Sequence, residues 1–146
     1  MRITYKGDYA LKTILDLALH YGNSPVSIPE LAKRADIPIK FLEQILLDLK
    51  RGGFVESRRG NEGGYLLSKS PANIKLGEII RFIDGPIEPV ACVNHSYEGC
   101  SDISKCIFRD IWERVSNATA DIIDNITFEE LVNKAKSTEA KFIYQI

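Results

Sequence analysis

No stretch of this 146-residue chain is apolar over anything like the roughly 18 residues that a bilayer-crossing helix requires, so no membrane span is expected. The opening residues Arg2 to Lys6 lack an apolar run followed by a small-residue cleavage site, and a secretory signal is not expected either. Histidine occurs only twice, at His20 and His95. No glycine-rich nucleotide-binding motif and no nucleophile–base pair can be picked out, so a redox enzyme or electron carrier finds no support and the chain is not expected to be an enzyme. There is no internal repeat and no low-complexity tract. The expected compartment is the cytoplasm, where disulfides are disfavoured. Three cysteines crowded into fifteen residues, Cys92, Cys100 and Cys106, therefore need another explanation.

What is present is ordinary in bulk and uneven in distribution. Hydrophobic residues make up 45% of the chain, ample for a core, and the net charge is −1. Residues 1–70 hold 11 Lys and Arg against 8 Asp and Glu, whereas residues 71–146 hold 8 against 12. A basic N-terminal half suits a phosphate-bearing partner, although many enzymes show as much asymmetry.

The apolar periodicity predicts a first helix from about Asp8 to His20, followed by a turn at residues 21–25. Ser27-Ile28-Pro29-Glu30 has the form of a capping box: Ser27 can accept from a helix N–H while Glu30 reaches back to the Ser27 N–H. That helix runs to about Ala35. Asp36-Ile37-Pro38 repeats the start signal at once, with Asp36 or Ile37 as cap. Phe41, Leu42, Ile45, Leu46 and Leu49 then form an apolar face, and Gly52-Gly53 stops the helix. Two helices joined by so short a turn describe a helix-turn-helix. Residues 54–58 and 64–68 read as strands around a glycine-rich loop, which makes the unit a winged helix. Residues 74–84 form another amphipathic helix ended by Gly85-Pro86. A long helix starts near 103–106, with apolar positions Ile107, Ile111, Val115, Ala118, Ile122 and Ile126. Such a stripe reads either as a dimerisation helix or as a packed core helix. A second capping box at Thr127–Glu130 opens a terminal helix of about 127–136.

The expected fold class is mainly α with a small β-hairpin: a winged helix-turn-helix domain over 1–86, a cysteine-containing loop over 87–106, and a dimerisation helix with a C-terminal helix over 107–146. A recognition helix enters the major groove N-terminus first, so Lys40, Glu43 and Gln44 would meet base edges. Gln44 can bond adenine in two places and Glu43 can accept from cytosine, while Lys40 can reach guanine or phosphate. A slim loop carrying Arg58, Arg59 and Asn61 suits the minor groove. Arg2 and Lys6 are candidates for phosphate contact. Each of these also has a plain reading as a solvated surface charge.

The cysteine pattern is Cys92-x7-Cys100-x5-Cys106. It is not Cys-x-x-Cys with a paired second half, so a zinc ribbon fits poorly. Ordinary reduced thiols, redox-sensing thiols, a three-cysteine zinc site and thiolate ligands for an iron–sulfur cluster all remain open from the residues themselves.

Several segments together resemble one family. They are Met1-Arg2-Ile3-Thr4-Tyr5-Lys6-Gly7-Asp8-Tyr9-Ala10-Leu11, Ser27-Ile28-Pro29-Glu30-Leu31-Ala32 and Ile37-Pro38-Ile39-Lys40-Phe41-Leu42-Glu43-Gln44-Ile45-Leu46. With them go Gly60-Asn61-Glu62-Gly63-Gly64-Tyr65-Leu66-Leu67, Ile79-Ile80-Arg81-Phe82-Ile83-Asp84-Gly85-Pro86 and the three cysteines. Over nearly its whole length the chain is similar to the IscR and NsrR type of winged-helix repressors and iron–sulfur sensors. The resemblance implies a homodimer on a partly palindromic double-stranded operator, with Glu43, Gln44 and Arg59 taking part in reading. It implies that Cys92, Cys100 and Cys106 hold a cluster, 2Fe–2S if IscR-like, and that the output is control of cluster-assembly genes. Nitric-oxide sensing and cluster-free regulation, as in cysteine metabolism, are the alternatives.

Two departures from the family pattern bear on the fourth ligand. The Cys92–Cys100 segment is about two residues longer than is common and contains His95. Where IscR supplies a histidine three residues after the last cysteine, this chain has Arg109, which stays protonated. His95, within the loop, and Asp8, donated across a dimer as in some NsrR-like relatives, are the two candidates. His95 can equally be a solvated loop residue, and Asp8 can simply stabilise the positive end of the first helix.

Overall fold

The structure, a computed structural model, describes residues 2–144; Met1 and the last two residues of the 107–146 segment lie outside the described residues. Among the described residues there are six α-helices, two short 3₁₀ turns and one two-stranded hairpin. Helix α1 (Tyr5–Leu19) begins three residues before Asp8 because Thr4 caps it, its side chain accepting from Gly7 N at 3.0 Å. Helix α2 (Ile28–Ala35) is capped by Ser27, which accepts from Glu30 N. The Glu30 carboxylate does not close the expected box. It bonds Arg34 instead, at 2.6 Å, and Arg34 also forks onto Asp16 of α1.

Helix α3 (Ile39–Arg51) corrects a second expectation. Asp36 adopts a left-handed conformation (φ 53°) and terminates α2, and Pro38, which makes no side-chain cap bond, precedes α3. The stop at Gly52-Gly53 holds, with Gly53 at φ 76°. Strands β1 (Val55–Arg58) and β2 (Gly64–Leu67) pair antiparallel from Val55↔Leu67 to Arg58↔Gly64. The hairpin is tied to the α1–α2 connection by reciprocal bonds between Val26 and Tyr65, at 2.9 and 2.8 Å. A Cβ on Gly64 would collide with the Val26 carbonyl, so only glycine permits this approach.

Helix α4 (Leu76–Asp84) ends at Gly85. Helix α5 (Arg109–Ile123) starts later than the 103–106 expected, because residues 102–106 close a separate turn in which Cys106 N bonds Asp102 O. Helix α6 (Phe128–Tyr144) runs well past the 136 expected, with Thr127 accepting from Glu130 N at its start.

One main core joins the buried faces of α1, α2 and α3 to the hairpin and to α6. Ala10, Ile14, Leu31, Leu42, Ile45, Leu46, Leu49, Val55, Ile79 and Phe128 are essentially inaccessible within it. Ile80, Ile87 and Ile123 form a smaller cluster where α5 leaves α4. The terminal helix thus packs back on the winged-helix unit through Phe128 and Val132. Phe128→Ala removes a fully buried ring and should cost about 3–5 kcal/mol of stability, as large-to-small core changes do. Urea unfolding followed by far-UV circular dichroism checks this; a loss under about 1 kcal/mol would show that α6 is dispensable to the core.

Candidate nucleic-acid interface and cysteine segment

Helix α3 turns 100° per residue, so burial of Leu42, Ile45, Leu46 and Leu49 leaves Lys40, Gln44, Leu47 and Arg51 on the opposite face. Lys40, Glu43 and Gln44 are all exposed. Glu43 lies toward the hairpin side of this row, the side on which Lys50 Nζ donates to Ser57 Oγ of β1 at 2.6 Å. Leu47 is 46% exposed in a row otherwise polar.

The hairpin tip carries Arg58, Arg59 and Asn61, all exposed, and they share an open hollow with the turn at residues 22–25. Gly60, at φ 111°, and the Gly63 N to Gly60 O bond make the tip tight. Helix α3 and the hairpin thus stand side by side, each with its expected charged residues exposed.

The start of α1 is less free than its sequence suggests. Arg2 and Asp8 line a shallow hollow with Ile3, Thr4 and Tyr5, and Asp8 is ion-paired to Lys12 at 2.7 Å. Lys6 Nζ lies 2.6 Å from Asp48 Oδ2 of α3. The Lys6 ammonium holds the Asp48 carboxyl below its ordinary value against the opposing effect of its partial burial; Gln44 and Arg51 act in the same direction as Lys6. Asp48 was not evident from the sequence, since its partner on α1 is 42 positions away.

Two further contacts bind α4 to its neighbours. Asp84 accepts from Thr4 N at 3.0 Å and from Thr4 Oγ1 at 2.5 Å, and a Cβ on Gly7 would collide with its carboxylate. Arg81 forks onto Asp124, just past α5, at 2.5 and 2.9 Å, and holds that carboxyl below its usual range.

Cys92 sits in a short 3₁₀ turn (Ala91–Val93), Cys100 in irregular chain, and Cys106 at the end of the 102–106 turn. All three are free and half-buried. Among the described residues, no three His, Cys, Asp or Glu side chains stand close enough to hold a metal ion. Nor does either candidate fourth ligand join the cysteines in such a group. His95 is exposed and lines a small hollow against Glu113, Ser116 and Asn117 of α5, and Asp8 is at the start of α1. Arg109, at the departure from the family pattern, has its Nε 3.0 Å from Glu113 Oε1, out of hydrogen-bond alignment. Glu88 Oε2, at the head of the segment, is buried without a partner among the described residues. The donor chemistry thus suits an iron–sulfur group at three positions, while the side chains are spread along the segment.

Helix α5 is nearly bare. Of its residues only Ile123 is buried; Ile111 (47%), Val115 (42%) and Ile122 (63%) are exposed, as are Ile107 (79%) and Phe108 (57%) just before it. No described helix is long and apolar enough to cross a membrane.

Comparison with known proteins gives a consistent picture. Residues 3–134 match the model of the Rrf2 family, described as an iron-dependent transcriptional regulator. The chain is 38% identical over 133 residues to the HTH-type transcriptional regulator IscR of Pectobacterium carotovorum, covering 91% of this chain and 80% of that one. IscR of Yersinia pestis is 37% identical over the same length. Among solved structures, CymR, the global cysteine regulator of B. subtilis, superposes with a TM-score of 0.77 at 33% identity, over 92% of this chain and 98% of that one. T. potens IscR superposes with a TM-score of 0.75 at 29% identity, over 94% and 90%.

The Lys6–Asp48 and Arg81–Asp124 pairs set an acid limit. A carboxylate whose folded pKa is depressed adds stability that is fully present above its unfolded value, about 4. That stability is lost as pH falls through the lower folded value. The contribution of these pairs should therefore be present and constant around neutral pH, and stability should decline below about pH 4 as it is lost. Asp48→Asn and Asp124→Asn should each flatten that decline in urea midpoints measured against pH; an unchanged acid limb in both would show that the pairs contribute nothing.

Proposed function

The chain belongs to the Rrf2 family of transcriptional regulators and is IscR-like, and from that premise we propose that it is a homodimeric regulator whose DNA binding responds to an iron–sulfur cluster held by Cys92, Cys100 and Cys106. The observation that carries the reading is the pairing of two features in one chain: a winged helix with an exposed polar recognition face, and three free, half-buried thiols between that domain and a bare apolar helix. Lys40, Glu43 and Gln44 would address base edges. Arg58, Arg59 and Asn61 would enter the minor groove, and Arg2 and Lys6 would lie near phosphate.

The exposed row on α5 supports a second copy of the chain as its cover, since a monomer gains nothing from leaving such a stripe in water. A two-fold dimer reading successive major grooves needs its recognition helices about 34–36 Å apart, and a partly palindromic operator follows from that symmetry.

The three cysteines would hold the cluster, 2Fe–2S by likeness to IscR, with His95 or Asp8 of the partner subunit as the remaining ligand. A cluster so held supplies a centre that responds to iron supply and oxidation. The chain's own part is mechanical. Residues 85–108 join α4 to α5, so the path of this segment determines how α5 leaves the winged helix. The natural targets of such a sensor are the genes of cluster assembly. The likeness to CymR supports a second reading, a cluster-free regulator in cysteine metabolism, in which the thiols remain reduced.

An anaerobic preparation separates the two. The first reading expects a brown protein with visible absorption and stoichiometric iron and sulfide, lost in Cys92→Ala, Cys100→Ala and Cys106→Ala. A colourless wild type that still binds operator DNA would favour the second. His95→Ala and Asp8→Ala should differ in cluster absorption, the true ligand's variant losing it. Arg59→Ala should weaken operator binding about tenfold, as loss of a groove contact worth about 1.4 kcal/mol implies.

A further inference from the structure

One acidic side chain borders the exposed polar face of α3. Asp48 is on the flank of α3 nearest α1, with its side chain 15% exposed. Three groups of opposite or complementary polarity converge on its two oxygens. Gln44 Nε2 donates to Oδ1 at 3.3 Å, Arg51 Nη1 donates to Oδ1 at 3.2 Å, and Lys6 Nζ approaches Oδ2 at 2.6 Å. Two of these partners come from the turns of α3 before and after Asp48, and one comes from α1.

A carboxylate only accepts hydrogen bonds, so it can engage the nitrogen of the Gln44 carboxamide and never its oxygen. The engaged amide keeps one N–H and its Oε1 for another partner, in a fixed left–right order. Adenine presents one donor and one acceptor side by side in the major groove, and a carboxamide matches it only when its own acceptor and donor are in the complementary order. A freely rotating carboxamide can present either order and discriminates less. The same carboxylate neutralises Lys6 and Arg51 while DNA is absent and repels phosphate that approaches without the correct bases.

We propose that Asp48 is a positioning residue for base reading: it fixes the order of donor and acceptor on Gln44 and restrains Lys6 and Arg51, so that specificity rises at the expense of indiscriminate affinity. The inference rests on the reading of α3 as the recognition helix. Its signature is a pair of effects of opposite sign, which a merely structural residue would not produce.

The test uses the full-length dimer and an operator obtained by selecting wild-type binders from random duplex DNA, with binding measured by fluorescence anisotropy across a salt series. Asp48→Asn should bind unrelated duplex DNA several-fold more tightly. Its salt dependence should steepen by about one to two released counterions per protomer, about one for each of Lys6 and Arg51 that becomes available. It should also lose at least about fivefold in discrimination at the base pair where Gln44→Ala loses discrimination. In the Gln44→Ala background, Asp48→Asn should leave that base preference unchanged. Asp48→Ala, which favours the helix, repeats the measurement with a second side chain. Unchanged discrimination in both Asp48 variants, or additive losses in the double variant, overturns the proposal while leaving DNA binding intact. Failure of wild type to select any duplex removes the recognition-helix reading itself, and the proposal with it.

Discussion

Burial of the apolar face of α3 constrains nearly everything that follows. Leu42, Ile45, Leu46 and Leu49 are each at most 1% exposed, and they lock the rotation of the helix about its own axis. Once that rotation is set, Lys40, Gln44 and Arg51 can only face outward, and Asp48 can only face α1. Packing in one core with Ile14 and Leu31 leaves no second arrangement of similar stability, because a turn of 100° would bury Glu43 and Lys50 on one side or Asp48 on the other. The polar contacts at the surface are weak one by one; the core is what makes them recur in the same geometry.

The wing depends on the same core by a different route. Val55 and Leu67 are buried, so the inner end of the hairpin is fixed, and Val26–Tyr65 bonds fasten it to the α1–α2 connection. The tip is left to carry Arg58, Arg59 and Asn61 into solvent. Rigid base and exposed tip are what groove insertion requires, since a loop ordered only on binding would lose affinity to its own entropy.

Helix periodicity made α1 to α4 and the hairpin legible in the sequence, because each has one apolar face and recognisable punctuation. The errors fell where two local signals competed. Asp36 is a good cap residue and also tolerates a left-handed conformation, and the chain uses the second property. Glu30 could close a capping box, yet Arg34 on the next turn offers a charged donor. Residues 103–106 continue the apolar pattern of α5, but the 102–106 turn interrupts the helix before Arg109. The candidate site divided in the same manner. Lys40, Glu43, Gln44 and the wing arginines follow from position on their elements. Asp48, Arg81 and Asp84 act through partners far along the chain, and no local pattern signals that.

Those distant partners cluster on α4. Its last residue, Asp84, holds the start of α1 at Thr4, and Arg81, one turn earlier, holds Asp124 beyond α5. Gly77 lets α5 approach, because a Cβ there would collide with Asp124. The cysteine segment leaves from Gly85, immediately after this double attachment. The start of α1 in turn contacts α3 through Lys6 and Asp48. A displacement of α5 relative to α4 therefore cannot be absorbed within α4 alone. It must either break the Arg81–Asp124 fork or carry α4 with it, and α4 is fastened to the start of α1, whose Lys6 contacts Asp48 of α3. Packed elements with discrete contacts respond in this way because they shift between arrangements rather than deform smoothly. The three thiols lie in the segment that joins α4 to α5, so a ligand held there would act on the connection that bears on both α5 and, through α4 and α1, α3.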